Sequence, residues 1–139
     1  MSMSNAEETA ILNHQYRTAT YAKPTNRYVA LLTADPTDAG TIAEVDYTGY
    51  ARVAVACADA SWSAPADDGS GNSEITNASA VTFPDATGDA SAAATHFAVM
   101  TASSGGSVVD YGALGTPRTI MNGDSSISFA AGELSIKRG

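Results

Sequence analysis

Thr95-His96-Phe97-Ala98-Val99-Met100-Thr101, then Ser103-Ser104-Gly105-Gly106, then Ser107-Val108-Val109-Asp110-Tyr111-Gly112-Ala113-Leu114: two apolar runs of strand length around a glycine pair set the reading of the whole chain. Phe97 and Val99 recur at a spacing of two, the period of a strand with one inward face. Gly105-Gly106 offers the positive φ angles that tight hairpin turns require, so Thr95–Thr101 and Ser107–Leu114 are predicted to be paired strands.

Working outward, the same period appears at Val53/Val55, Val81/Phe83, Ile127/Phe129 and Leu134/Ile136. Strands are predicted at Tyr28–Thr33, Tyr50–Cys57, Ala78–Phe83, Arg118–Met121, Ser125–Phe129 and Glu133–Lys137. Turn chemistry separates them at Asp35-Pro36-Thr37-Asp38-Ala39-Gly40, Asp67-Asp68-Gly69-Ser70-Gly71-Asn72, Asn122-Gly123-Asp124 and Ala131-Gly132. Asn122-Gly123 is the second strong hairpin candidate. Short strands with turns every eight to twelve residues or so indicate a mainly β fold, an antiparallel two-sheet jelly roll or sandwich. The stretch Ser61–Asn77, rich in Ser, Asp and Gly, reads as a long loop or a ragged edge strand.

One segment departs from this pattern. Ser4-Asn5-Ala6-Glu7 has the spacing of a capping box, and Ala6 to Arg17 is composed of helix formers with Leu12 and Tyr16 four residues apart. A short N-terminal helix is predicted, followed by an extended arm around Lys23-Pro24. Residues 1–26 thus form a helix and arm, and residues 27–139 the sandwich, together one structural domain, as expected for 139 residues.

Composition narrows the function. The chain is 44% hydrophobic, but with three Phe, one Trp and six Tyr its core should be thin, and association would add stability. Fifteen acidic against seven basic residues give a net charge of −8, with the bases scattered; a phosphate-binding face needs them clustered, so nucleic acid is not an expected partner. No apolar run approaches the roughly 20 residues of a membrane span, and the N-terminus carries acid where a signal peptide carries base; the protein is expected to be made and kept in the cytosol, or released by lysis, without membrane association.

Candidate chemistry is sparse. Two His and one Cys cannot make a standard zinc site, and His14 and His96 read as surface or interface residues. The Asp67–Glu74 loop lacks the regular ligand spacing of a calcium loop. Neither a nucleophile elbow nor a dinucleotide fingerprint is present. Asn77-Ala78-Ser79 matches a glycosylation sequon by chance, and Cys57 reads as a small buried hydrophobe. No cofactor, no metal and no enzymatic activity are expected; the chain should act by binding. The residues best suited to it are Tyr16, Arg17, Tyr21, Lys23 and Arg27, which bring aromatic rings and bases together on the helix and arm. The alternative is that they only cap the open end of the sandwich.

Tyr28-Val29-Ala30-Leu31-Leu32-Thr33-Ala34-Asp35-Pro36-Thr37-Asp38-Ala39-Gly40, with Glu44-Val45 and Gly49-Tyr50-Ala51-Arg52, resembles a family of small tailed-phage virion proteins often labelled tail-fibre-like. Asn77–Pro84, Thr95–Val99, Gly112-Ala113-Leu114, Thr116-Pro117, Gly123-Asp124, Ser128–Gly132 and Ala10-Ile11-Leu12-Asn13-His14 are similar to its other blocks, in order over nearly the whole chain. Within that group the chain looks most like the jelly-roll capsid cement proteins that decorate the heads of Bordetella short-tailed phages. The resemblance implies a virion protein on the outer capsid surface that binds the major capsid protein, as a homodimer, and stabilises the head against packaged DNA. It also admits a tail-fibre or baseplate module. A glycan-binding surface module using Trp62 and the acidic loop is a third possibility.

Overall fold

The computed structural model describes residues 2–139; Met1 of the expected N-terminal region lies outside them. In chain order the elements are β1 (Ser2–Met3), α1 (Asn5–Tyr16), β2 (Asn26–Leu32), β3 (Val53–Ala56), β4 (Ala66–Asp67), β5 (Ser73–Thr76), β6 (Val81–Thr82), β7 (Ala94–Met100), β8 (Val108–Arg118), β9 (Ser128–Phe129) and β10 (Ser135–Arg138). A five-stranded sheet runs β1-β8-β7-β2-β3, a three-stranded sheet β10-β5-β4, and β6 pairs with β9. All pairings are antiparallel, so the fold is mainly β with one short helix, as the alternation predicts.

The predicted β7–β8 hairpin forms at the centre of the large sheet, with Phe97 opposite Gly112 and Val99 opposite Asp110. Val29, Leu31, Phe97, Val99 and Val109 present one face to Val81, Phe83, Ile127, Leu134 and Ile136 of the smaller sheets. The few aromatic rings are concentrated here: Tyr47, Tyr50, Phe83, Phe129 and Phe97 touch in sequence, with centroids 5.5–6.3 Å apart. On the other face, Ala30, Leu32, Ala98, Met100 and Val108 form a second cluster bordered by Ile42 and Tyr111. Alanines at Ala30 and Ala98 sit directly opposite each other, leaving room for that cover to pack closely.

Several sequence expectations are corrected. Arg118–Met121 is not a separate strand, because Arg118 closes β8 after Leu114–Pro117 bulge outward between the pairs His96/Ala113 and Ala94/Arg118. Gly115 and Pro117, which interrupt the pattern in sequence, mark that bulge. Asn122-Gly123 turns the chain but joins no paired strands, whereas Asp67–Asn72, within the stretch expected to be a loop or ragged edge, connects β4 to β5 as a hairpin. β5 is the central strand of its sheet, because β10 pairs along all of it. Inside that hairpin Asp68 accepts from the Ser70 and Asn72 N–H groups, from the Asn72 carboxamide and from Lys137 Nζ (3.0 Å), contacts that hold its carboxyl well below the usual range. Cys57 is half-buried rather than buried.

A single carboxamide joins the two smaller sheets. Asn77 is 1% exposed. Its Nδ2 donates to Ser79 O (2.8 Å) and Ala130 O (2.9 Å), and its Oδ1 accepts from Leu134 N (2.9 Å). Both amide protons are thus engaged in the interior, so the sequon at Asn77 offers no acceptor nitrogen. Across the large sheet, Arg52 makes two hydrogen bonds to Glu44 (2.9 and 2.8 Å) and donates to Ala102 O and Gly105 O (both 2.7 Å), pinning the β7–β8 turn to the segment before β3. Tyr50 Oη donates to Glu44 (2.8 Å) and accepts from Leu31 N.

Asn77→Ala leaves the buried Leu134 N–H unpaired and removes the contacts to Ser79 O and Ala130 O, and is expected to cost about 1–3 kcal/mol in chemical denaturation. The Arg52 guanidinium holds the Glu44 carboxyl below its ordinary value of 4.5. That stability is complete above the unfolded value and is lost as pH falls through the lower folded value. An acid titration of Tm should therefore be less steep in Glu44→Gln than in the native protein below about pH 4.5.

Candidate functional site

Ser4 caps α1 and ties it to the sheet: its Oγ accepts from Glu7 N (3.3 Å) and its N–H donates to Val109 O (3.0 Å). This is half of a capping box, because the Glu7 carboxylate does not return to the Ser4 N–H. It instead accepts from Tyr21 Oη, which itself accepts from Arg27, and Arg27 Nη2 lies 3.5 Å from Glu7. Tyr21 N–H donates to His14 Nδ1 (3.2 Å), so the arm folds back against the helix it leaves. Burial and the Glu7 contact raise the Tyr21 hydroxyl above its ordinary value, keeping it a donor.

Beside this trio lies a cleft of about 320 Å³ between the large sheet and the β5/β10 edge, floored by Ile75, Val99, Val109 and Ile136 and also lined by Trp62 and Lys23. A bulge where β7 passes from Val99 to Met100 sets Val109 and Asp110 against Val99 and turns Asp110 into the cleft. Asp110 is 2% exposed and meets the Arg138 guanidinium through two hydrogen bonds, one of 2.9 Å. Burial pushes its carboxyl above the ordinary range; the Arg138 guanidinium opposes this. Glu7, Arg27, Asp110 and Arg138 thus alternate in sign around one opening, from α1, β2, β8 and β10.

Tyr21, Lys23 and Arg27 are therefore gathered at this opening, but Tyr21 and Arg27 are engaged with Glu7 inside the molecule. Tyr16 and Arg17 stand apart at the outer end of α1, where Tyr16 is 80% and Leu12 55% exposed. Asp110 and Arg138 escaped the sequence reading; the available signal was a carboxylate within the apolar run Val108-Val109-Asp110-Tyr111. Trp62 gives its Nε1–H to Ala56 O (3.0 Å) and packs against the core. His96 is half-buried, 4.0 Å from Asp35. A second hollow, about 370 Å³, lies by the β8 bulge over Phe83, Phe97 and Phe129.

Arg138→Met strands the Asp110 carboxylate. A destabilisation of about 1–3 kcal/mol at neutral pH is expected, less than for a fully buried pair because Arg138 is 38% exposed. With its folded value raised further, Asp110 contributes stability below its unfolded value that is lost as pH rises, so the variant should recover toward native stability in mild acid denaturation series.

No curated protein matches the chain. Residues 2–137 match the family described as podophage GP4 fiber I protein gp80. With the match spanning both the helix and the sandwich, the chain belongs to this family of phage virion proteins.

Proposed function

We propose that the protein is a capsid decoration (cement) protein, which binds the outer surface of the major capsid protein lattice and stabilises the head against the pressure of packaged DNA. The observation that carries this reading is α1. Only Glu7 among its residues is buried, while Leu12, Tyr16 and Arg17 project from a helix of 12 residues, a length that is marginal in water without cover. Such a helix gains its cover by docking on another surface. Tyr21 and Arg27 hold it at a fixed angle to the sandwich, and Tyr16, Arg17 and Lys23 supply the contacts. Repetition of one modest contact over a closed lattice gives the particle large total stabilisation.

In this reading the protein is not an enzyme, takes no cofactor, and meets the capsid as a homodimer. Its closeness to the cement proteins of Bordetella short-tailed phages belongs to the same proposal. The fibre description of the family favours a second reading, a module of the tail fibre or baseplate.

Quantitative densitometry of purified virions with image reconstruction separates the two. Cement predicts copies over the head exterior in fixed ratio to the major capsid protein; a few copies confined to the tail would sink it. Reversing charge at Arg17 and Lys23 together (R17E/K23E) should weaken binding to undecorated heads roughly tenfold with the fold intact.

A further inference from the structure

The large sheet ends at β3, and this edge is open. Cys57 N–H donates to Thr25 O (2.9 Å), and with the register Arg27↔Val55 and Val29↔Val53 this fixes which groups of β3 face β2. In an antiparallel ladder the alternate residues point the other way. Ala54 therefore directs both its N–H and its C=O outward, and Ala56 its N–H, while Ala56 O is taken by Trp62. No other strand of the described residues pairs with this side.

The edge is recessed. A groove of about 190 Å³ runs along it, bounded on the far side by Ala60, Ser61, Ser79 and Ala80. Val53 and Val55 point into the core, and Ala54 and Ala56 are exposed. The groove carries no charged side chain and, besides Val53, Val55 and Val81, only small ones, so an uncharged side chain of an incoming strand would find room.

We propose that the β3 edge accepts an extended, uncharged segment of another virion polypeptide by strand addition; this rests on the cement reading in taking the shell protein as the donor. The free groups select the ligand class, because an extended backbone presents donors and acceptors at the repeat of Ala54 and Ala56. The far wall disfavours a second β3 edge, which would arrive with its own wall attached. Nor can the chain's own arm fill the groove: Arg17 and Tyr21 N–H groups are bonded to Asn13 and His14, leaving Thr18–Thr20, shorter than β3.

The test is Ala54→Pro, which deletes an outward N–H and leaves the β2 ladder intact. Ala54→Lys, which guards the edge by charge, carries the test if the proline variant alone fails to fold. Each is supplied to phage lacking the native protein, with melting curves of the free proteins overlaid on the native one. Incorporation per virion should fall roughly tenfold, as expected for one or two lost hydrogen bonds with clash. Undiminished incorporation of a folded variant overturns the proposal. A native protein that is dimeric and an A54P protein that is monomeric in solution would also overturn it, making the edge a self-association site. Location is read separately: native protein found only in the tail refutes the cement reading, and loss of A54P from the tail would still assign the edge to strand addition there.

Discussion

The buried carboxamide of Asn77 is the constraint on which the smaller half of the sandwich depends. β5, β6, β9 and β10 are two to four residues long, too short for any ladder to hold them alone. Asn77 follows β5, and its side chain reaches Ser79 O ahead of β6, Ala130 O after β9 and the Leu134 N–H just before β10. With these ends fixed, Val81, Phe83, Ile127, Leu134 and Ile136 are held over the central hairpin. Only then is the large sheet's apolar face removed from water.

The same placement governs how α1 is seated. β10 delivers Arg138 to Asp110 at the position where β8 also receives the N-terminus of α1 through Ser4. The helix angle is thereby linked to the seating of one sheet on the other, through charged groups rather than through an apolar helix face. This division explains why the helix needs so few buried side chains: its first turn is locked polar group by polar group, and the remainder stays exposed.

How much of this could be read from the sequence follows from which signals are local. The β7–β8 hairpin, the Ser4 cap and the inward pairs Phe97/Val99 and Leu134/Ile136 are written in spacing and turn chemistry. β5 was hidden because its partner, β10, lies some sixty residues away and its own composition is that of a loop. The single long β8 was hidden because Gly115 and Pro117 signal an end where the fold makes a bulge. Of the proposed contact residues, exposure of Tyr16 and Arg17 accords with their pattern. The internal use of Tyr21 and Arg27 depends on Glu7, whose capping-box position suggested a different partner.

The order of strands also bears on how the chain folds. Ser2 pairs with Tyr111, and β10 is needed to neutralise Asp110. β1 must wait for β8, and β8 for β10, so the sheets are closed by contacts between segments far apart in the chain. Such non-local closure is slow, on the order of milliseconds to seconds, and leaves apolar strands uncovered meanwhile. An acidic chain with few large apolar residues is well suited to that interval, since mutual repulsion among nascent copies opposes their aggregation before the sheets meet.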